Sequence, residues 1–462
     1  MKIMLVSPTT SEHLNQMSRP PLGLGYIAAV LENNKHQVKI IDMNIKKYDL
    51  INEINIFNPN IIGVQCITDT RFEVFEICRE IKTVFPEILL VSGGPHVTFT
   101  AEDTLRNIPW IDVIVRGEGE WTMNEIADGK NLSEIKGISY KKGDEIRHNI
   151  NRTPADLDDL PFPTFHLFDL DDYNLRIGSE KAINIFTSRG CPNKCVYCSA
   201  SEMWGDFTRC RDPKSVLDEI RMLKDSFGYS AFRIEDDTFT LKRKHAKEIL
   251  EKIIDEDLNI RFTCKARINT LDKDLIELIF EAGGVEIQPG IESGVQRVLD
   301  EIKKRITLEQ VTQVMDWCNE VGISVRAWFM AGLPTETKEE VIETIKFIKN
   351  MKKKNMKCIS GSGTLIYPGT ALEEFARSRG YLPDDFSWSK FFYDERNLKL
   401  WCSPTVPMLD QPQLSIEDLT RIRDRYFLKW RIASILRKTP LYKLMSSVVY
   451  HSKILRKIWR SI

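Results

Sequence analysis

The chain has 462 residues, with 65 Lys or Arg against 66 Asp or Glu; this length supports two or three separately cored domains, and the balance gives no overall pull toward nucleic acid. The average hides an asymmetry: residues 421–462 hold twelve basic side chains and one acid, Asp424, for +11, which leaves −12 on residues 1–420. Ten cysteines without a pairing pattern imply a reducing compartment, and no apolar run reaches the roughly 18 residues that cross a bilayer, so a cytoplasmic protein that at most touches the inner membrane surface is expected.

Over residues 1–140, short apolar runs at 3–6, 38–41, 61–64, 88–91 and 113–115 read as strands, the first too short for a leader peptide. Helical periodicity fills 22–31, 72–84 and 120–127. Strands this apolar predict a parallel sheet covered on both faces, an α/β, doubly wound, Rossmann-like domain. Ligands of such sheets sit outside the carboxyl ends of the strands, here at Ser7-Pro8-Thr9, Cys66-Ile67-Thr68-Asp69, Ser92-Gly93-Gly94-Pro95-His96 and Arg116-Gly117-Glu118-Gly119-Glu120. Glycine at two of these ends lets backbone approach a large flat ligand, though tight strand-to-helix turns also use it. Residues 141–180 form a linker whose Leu157-Asp158-Asp159-Leu160-Pro161-Phe162-Pro163 suits an ordered, extended connection.

Over residues 181–380 a strand-then-helix unit repeats six times, with strands near 183–187, 231–234, 260–264, 285–288, 324–330 and 358–366, and helices near 213–226, 242–255, 272–281, 308–321, 338–351 and 371–379. This predicts a partial (β/α)6 barrel of the TIM type, two units short of closure and open on one side to a large substrate. Residues with chemistry fall after the strands: Cys191-Pro192-Asn193-Lys194-Cys195-Val196-Tyr197-Cys198 after the first and Glu235-Asp236-Asp237-Thr238 after the second. Lys265-Ala266-Arg267 follows the third, Gly290-Ile291-Glu292-Ser293-Gly294 the fourth, Ala331-Gly332-Leu333-Pro334-Thr335-Glu336-Thr337 the fifth and Tyr367-Pro368-Gly369-Thr370 the sixth. Three thiolates on one loop can hold three corners of a cluster and leave a fourth coordination position open, whereas a structural zinc site wants four ligands in two pairs. Cys210 stands alone, and the next cysteine is Cys264.

Residues 381–462 open with aromatics and prolines between Trp388 and Pro412, expected as an irregular lid or packing segment over the barrel mouth. Helices are expected over 419–436 and 441–462, small, basic and amphipathic. They fit either an anionic membrane surface or the acidic remainder of the chain; no RNA-binding module accompanies them, which makes nucleic acid an unfavoured partner.

The CxxxCxxC spacing with an aromatic before its last cysteine resembles the radical S-adenosylmethionine (SAM) superfamily, as do the Gly-Ile-Glu-Ser and Gly-Leu-Pro-Thr-Glu-Thr loops. Arg19-Pro20-Pro21-Leu22-Gly23-Leu24, Ile111-Asp112-Val113 and the Gly-Gly-Pro-His and Gly-Glu-Gly-Glu loops are similar to the cobalamin (B12) domain at the front of one large subgroup, so the resemblance runs from residue 1 to about 380. It implies a 4Fe-4S cluster on Cys191, Cys195 and Cys198. Around SAM it implies Tyr197 near the adenine, Asp236 and its neighbours on the amino group, Glu292 and Ser293 on the ribose and Arg267 or Arg326 on the carboxylate. Around cobalamin it implies Pro8, Thr9, Leu22, Gly23, Thr68, Asp69, Gly93, Gly94, Pro95, His96, Gly117, Glu118, Gly119 and Glu120. The Asp-x-His-x-x-Gly motif that puts a histidine beneath cobalt is absent at every His, so His96 is expected at the cofactor's periphery or as a loop residue.

The activity so implied is radical-driven C-methylation of an unactivated carbon on a small-molecule or lipid substrate, fed by an electron donor such as flavodoxin or ferredoxin. A cobalamin-dependent cyclase without methyl transfer is the nearest alternative. A tRNA methylthiotransferase would call for a second cysteine trio near the N-terminus, where Cys66 and Cys78 stand alone; a cobalamin or SAM sensor with a basic tail would bind without cleaving SAM.

Overall fold

The computed structural model describes residues 1–9, 18–352 and 357–426. Five apolar runs become strands β1 (Lys2–Ser7), β2 (Gln37–Asp42), β3 (Ile61–Gln65), β4 (Leu89–Gly93) and β5 (Val113–Val115), parallel in the order β2-β1-β3-β4-β5. Helices Leu22–Asn33 and Glu120–Ala127 cover one face, and Leu50–Phe57 and Arg71–Val84 bury Ile54, Val74 and Cys78 with strand residues on the other. An antiparallel hairpin, β6 (Ile138–Lys142) and β7 (Glu145–His148), extends the sheet beyond β5. The five expected strands stop short of this hairpin, because β7, polar at both ends and mostly exposed, carries no apolar alternation.

A second sheet has seven described strands. It comprises β8 (Arg176–Ile177), antiparallel at one edge, and the parallel β9 (Glu180–Ile185), β12 (Ala231–Ile234), β13 (Arg261–Ala266), β14 (Gly284–Glu292), β15 (Ser324–Ala331) and β16 (Lys357–Gly363). The short pair β10 (Ser188–Arg189) and β11 (Arg209–Cys210) brackets the cysteine loop. Each helix expected here forms within a residue or two of its bounds, and Leu308–Val321 matches them; its start is fixed by a Thr307–Gln310 capping box and its end by Gly322 in the left-handed region. Phe232, Ile234, Phe262, Cys264, Ile287, Val325 and Phe329 pack in the core with the outer helices. By the two-residue period of a strand, Arg233, Lys265, Glu286, Gln288 and Arg326 then occupy the inner face, where Arg326 Nε meets Glu286 at 2.7 Å.

The linker joins the two domains rather than spacing them. Leu157, Leu160 and Phe165 share one core with Leu22, Tyr26 and Val30 of the first domain and the barrel helix Pro213–Phe227. After 381 the chain straps β16 to the first domain, with Ile366 N donating to Pro407 O (2.8 Å) and Ser387 Oγ and Ser389 Oγ to Asp103 (2.7 Å each). Arg71, fully buried, gives its guanidinium to three carbonyls, Thr68 O (2.8 Å), Trp388 O (3.0 Å) and Thr405 O (2.5 Å). A helix spans Ile416–Tyr426; the remainder of the basic segment expected over 427–462 lies outside the described residues. No described helix is long and apolar enough to cross a membrane.

Candidate functional site

Between the strand ends of the first sheet and the mouth of the second lies a cavity of about 870 Å³, at the upper end of the range for small-molecule sites. Pro8, Leu22, Gly23, Gly93, Gly94, Pro95, Gly117, Glu118, Gly119 and Glu120 line it from the first domain, and Asn184, Cys198, Glu235, Asp237 and Lys265 from the second. A Cβ on Gly23 or Gly117 would meet no atom of the described residues within 4 Å, so among these residues the backbone at both is open to a flat ring, a cradle that fits a corrin. Gly94 serves otherwise: at φ +108°, its Cβ would lie 2.7 Å from Cys66 O, so it shapes the turn.

Four residues implied around cobalamin lie off this cavity. Thr9, Thr68, Asp69 and His96 do not line the cavity. Thr68 Oγ1 lies 3.2 Å from His96 Nδ1, and Asp69 accepts from Tyr367 Oη at 3.4 Å. The His96 ring is fully buried against Trp388 and Phe75, its Nε2 without a partner among the described residues. Burial, aided by the Arg71 charge, depresses its pKa to about 3, so it is a neutral core residue; the cavity is met instead by Gln65, Ile67 and Thr70.

Glu118 and Glu120 line the cavity, but their carboxylates are engaged in a clamp between the domains. Arg189 reaches Glu118 Oε1 (3.0 Å) and Glu120 Oε1 (2.7 Å), and Arg209 Nη2 reaches Glu118 Oε1 (2.6 Å); the Arg189, Glu118 and Glu120 side chains are 7, 8 and 5% exposed. Burial alone would raise the Glu118 pKa, but the Arg209 hydrogen bond and Arg189 charge hold it low. Arg189 also lies over the Tyr26 ring at 5.0 Å. It directly precedes Gly190, whose φ of +97° and hypothetical Cβ contact of 2.3 Å with Phe207 O admit no side chain, so the clamp holds the cysteine loop at its root.

Cys191 and Cys195 are buried and Cys198 opens on the cavity. Burial pushes the Cys198 thiol up to about 11, with Cys195, Asp237 and Cys191 close enough to add to it. Among the described residues no three His, Cys, Asp or Glu groups converge on a single-ion position; a cluster, which takes one thiolate per iron, needs a wider arrangement. Soft donors on one loop, one facing the cavity, fit such a group.

The implied SAM residues divide in three. Tyr197 Oη donates to Glu292 Oε1 (3.0 Å), Lys304 Nζ reaches the same oxygen (2.8 Å), and Arg267 Nη1 approaches Cys195 Sγ (3.5 Å), so these gather at the cysteine loop. Asp236 and Ser293 point inward. The Asp236 carboxylate, fully buried, accepts from Thr187 N (2.7 Å), Thr187 Oγ1 (2.5 Å) and Ser188 Oγ (2.6 Å), leaving its neighbour Asp237 to face the cavity. Ser293 Oγ lies 3.1 Å from Thr344 Oγ1 on the helix behind. Arg326, paired with Glu286, is on the inner barrel face and does not line the cavity.

The family described as the radical SAM superfamily matches residues 185–348, and the B12 binding domain matches 17–127. A protein of Pyrococcus horikoshii named an uncharacterised methyltransferase is 33% identical over 95% of this chain and 98% of its own. An anaerobic magnesium-protoporphyrin IX monomethyl ester cyclase of Rubrivivax gelatinosus is 31% identical over 72% of this chain and 62% of that one. The solved cobalamin-dependent SAM radical enzyme OxsB, with aqua-cobalamin and SAM bound, shares the fold at a TM-score of 0.72 and 18% identity, over 98% of this chain and 71% of that one. With both domains matched in this order and one relative alike from end to end, the chain belongs to the cobalamin-dependent radical SAM enzymes, whose cofactors are a 4Fe-4S cluster, SAM and cobalamin.

Proposed function

We propose that the chain methylates an unactivated carbon of a small-molecule or lipid substrate. Bound together, the cofactors supply reductive cleavage of SAM, which opens a carbon–hydrogen bond, and a methyl donor at the corrin face. Cys191, Cys195 and Cys198 would ligate three irons, with Arg267 beside Cys195. Asp237 would accept from the SAM ammonium, Tyr197 would stand near the adenine and Glu292 near the ribose, with Lys304 holding Glu292 from behind. Gly23, Gly93 and Gly117 would let the corrin lie against backbone, while Leu22, Met203 and Trp204 keep water from the cavity.

The observation that carries this reading is that Cys198 and the open glycines Gly23 and Gly117 line one cavity. Likeness from end to end with a protein named a methyltransferase favours methyl transfer over cyclisation. The basic segment 427–462, which contains no acid, fits an anionic bilayer surface and so suits a lipid substrate. The test is anaerobic reconstitution with methyl-labelled SAM and a lipid extract. Methyl transfer consumes one SAM to 5′-deoxyadenosine and methionine and another to S-adenosylhomocysteine, so the two nucleoside products appear in equal amounts, with label in the lipid. Deoxyadenosine without S-adenosylhomocysteine would point to cyclisation, and neither product to a sensor.

A further inference from the structure

The loop 302–306 lies against the cysteine loop, and none of its residues lines the cavity. Its carbonyls are engaged one after another: Ile302 O accepts from Val196 N (3.2 Å), Lys303 O from the Cys195 thiol (3.8 Å), Lys304 O from Arg267 Nη2 and Arg305 O from Asn269 Nδ2 (3.2 Å). Ile302, Lys304 and Ile306 are buried, and Lys303 and Arg305 are exposed. The alternation comes from an unusual backbone, since Lys303 and Arg305 both sit at φ +55°. Non-glycine residues are uncommon there and persist where their surroundings over-determine them. The strained turn holds two cations outward, one peptide away from a cluster ligand.

Neither cation pairs with a carboxylate among the described residues, whereas Lys194 of the cysteine loop is matched by Asp206 at 2.8 Å. Asp300 and Glu301, exposed at the end of the preceding helix, limit the basic patch to a small focus. Small, charged contacts are what electron-transfer encounters use, and their charges steer association.

We propose that Lys303 and Arg305 form the docking point of the external reductant, an acidic protein carrying a flavin or an iron–sulfur centre. This rests on the cluster assignment made above. At this surface the donor is oxidised by one electron and the cluster reduced by one, with no bond made or broken.

The test reduces the anaerobically reconstituted enzyme, its iron content verified, with flavodoxin, with ferredoxin or with reduced methyl viologen, following cluster bleaching by stopped flow. In K303E/R305E the rate with at least one of the two proteins should fall tenfold or more while the viologen rate holds, and the wild-type rate with that protein should fall with salt; the protein affected identifies the donor class. K346E, at an exposed lysine elsewhere, should reduce like wild type. Wild-type rates with both proteins in the double variant would overturn the proposal. Carbodiimide cross-linking of flavodoxin and of ferredoxin to the protein without its cluster gives a second readout, which should map to Lys303 for the true donor; adducts that avoid it with both would equally overturn the proposal. A wild-type cluster that viologen cannot reduce would instead contradict the cluster reading.

Discussion

Glu292 carries the tightest constraint on a single residue at the site. At φ +74° it lies where a non-glycine residue is uncommon, and it is held by Tyr197 from the cysteine loop and Lys304 from the loop behind. Such strain beside the cysteine loop marks a residue kept for its position. His96 shows the opposite case, a residue in a functional-looking loop whose ring serves the core. An unfolded chain holds a proton on this ring below about pH 6.5, while the folded chain binds none until about 3. Its contribution to stability is therefore complete above pH 6.5 and is lost as the pH falls through that window, at about 1.4 kcal/mol per unit. Between pH 6.5 and pH 5, denaturant titrations should show the wild type losing about 2 kcal/mol more than H96L; equal losses would mean the ring is solvated. The three cysteines are legible in the sequence because their spacing alone places them on one loop. Lys304 is not, since its partner Tyr197 lies 107 positions away and no local pattern announces the pairing.

At the scale of elements, the Arg189 clamp ties the loop after β5 to β10, and so fixes the glycine-lined side of the cavity relative to the cysteines. Among the described residues, R189M would leave Glu118 with Arg209 as its remaining ion-pair partner and Glu120 buried without one, at a cost of about 3–5 kcal/mol. R189K should recover part of this, because an ammonium cannot fork across two carboxylates as a guanidinium does. Chemical denaturation checks both; a loss under about 1 kcal/mol for R189M would mean the carboxylates are hydrated. Elements with a strong apolar period were readable from sequence, as Glu120–Ala127 and Leu308–Val321 show. The helix Leu50–Phe57, which buries Ile54 alone, and the hairpin beyond β5 were not, because their apolar contrast is weak. Glu118 and Glu120 were readable as part of a loop, but their partners in the second domain, 71 and 69 positions on, were not.

At the scale of the molecule, two sheets face one another across the cavity, and three devices keep that spacing: the shared core of the linker, the Arg189 clamp and the strap in which Arg71 binds three carbonyls. Domain order and the partial barrel were legible because strand and helix patterns alternate regularly; the strap was not, because its hydrogen bonds to the first domain join residues 284 or more positions apart. The cluster and the corrin are proposed to share this one cavity. Electron paramagnetic resonance of the reconstituted protein tests it most directly, by comparing cob(II)alamin beside the oxidised and the one-electron-reduced cluster. The cobalt signal should relax faster and broaden when the cluster is reduced, and C195S, which removes one of the proposed cluster ligands, should abolish the change. A cobalt signal indifferent to the state of a fully loaded, fully reduced cluster would place the two groups apart and contradict the account.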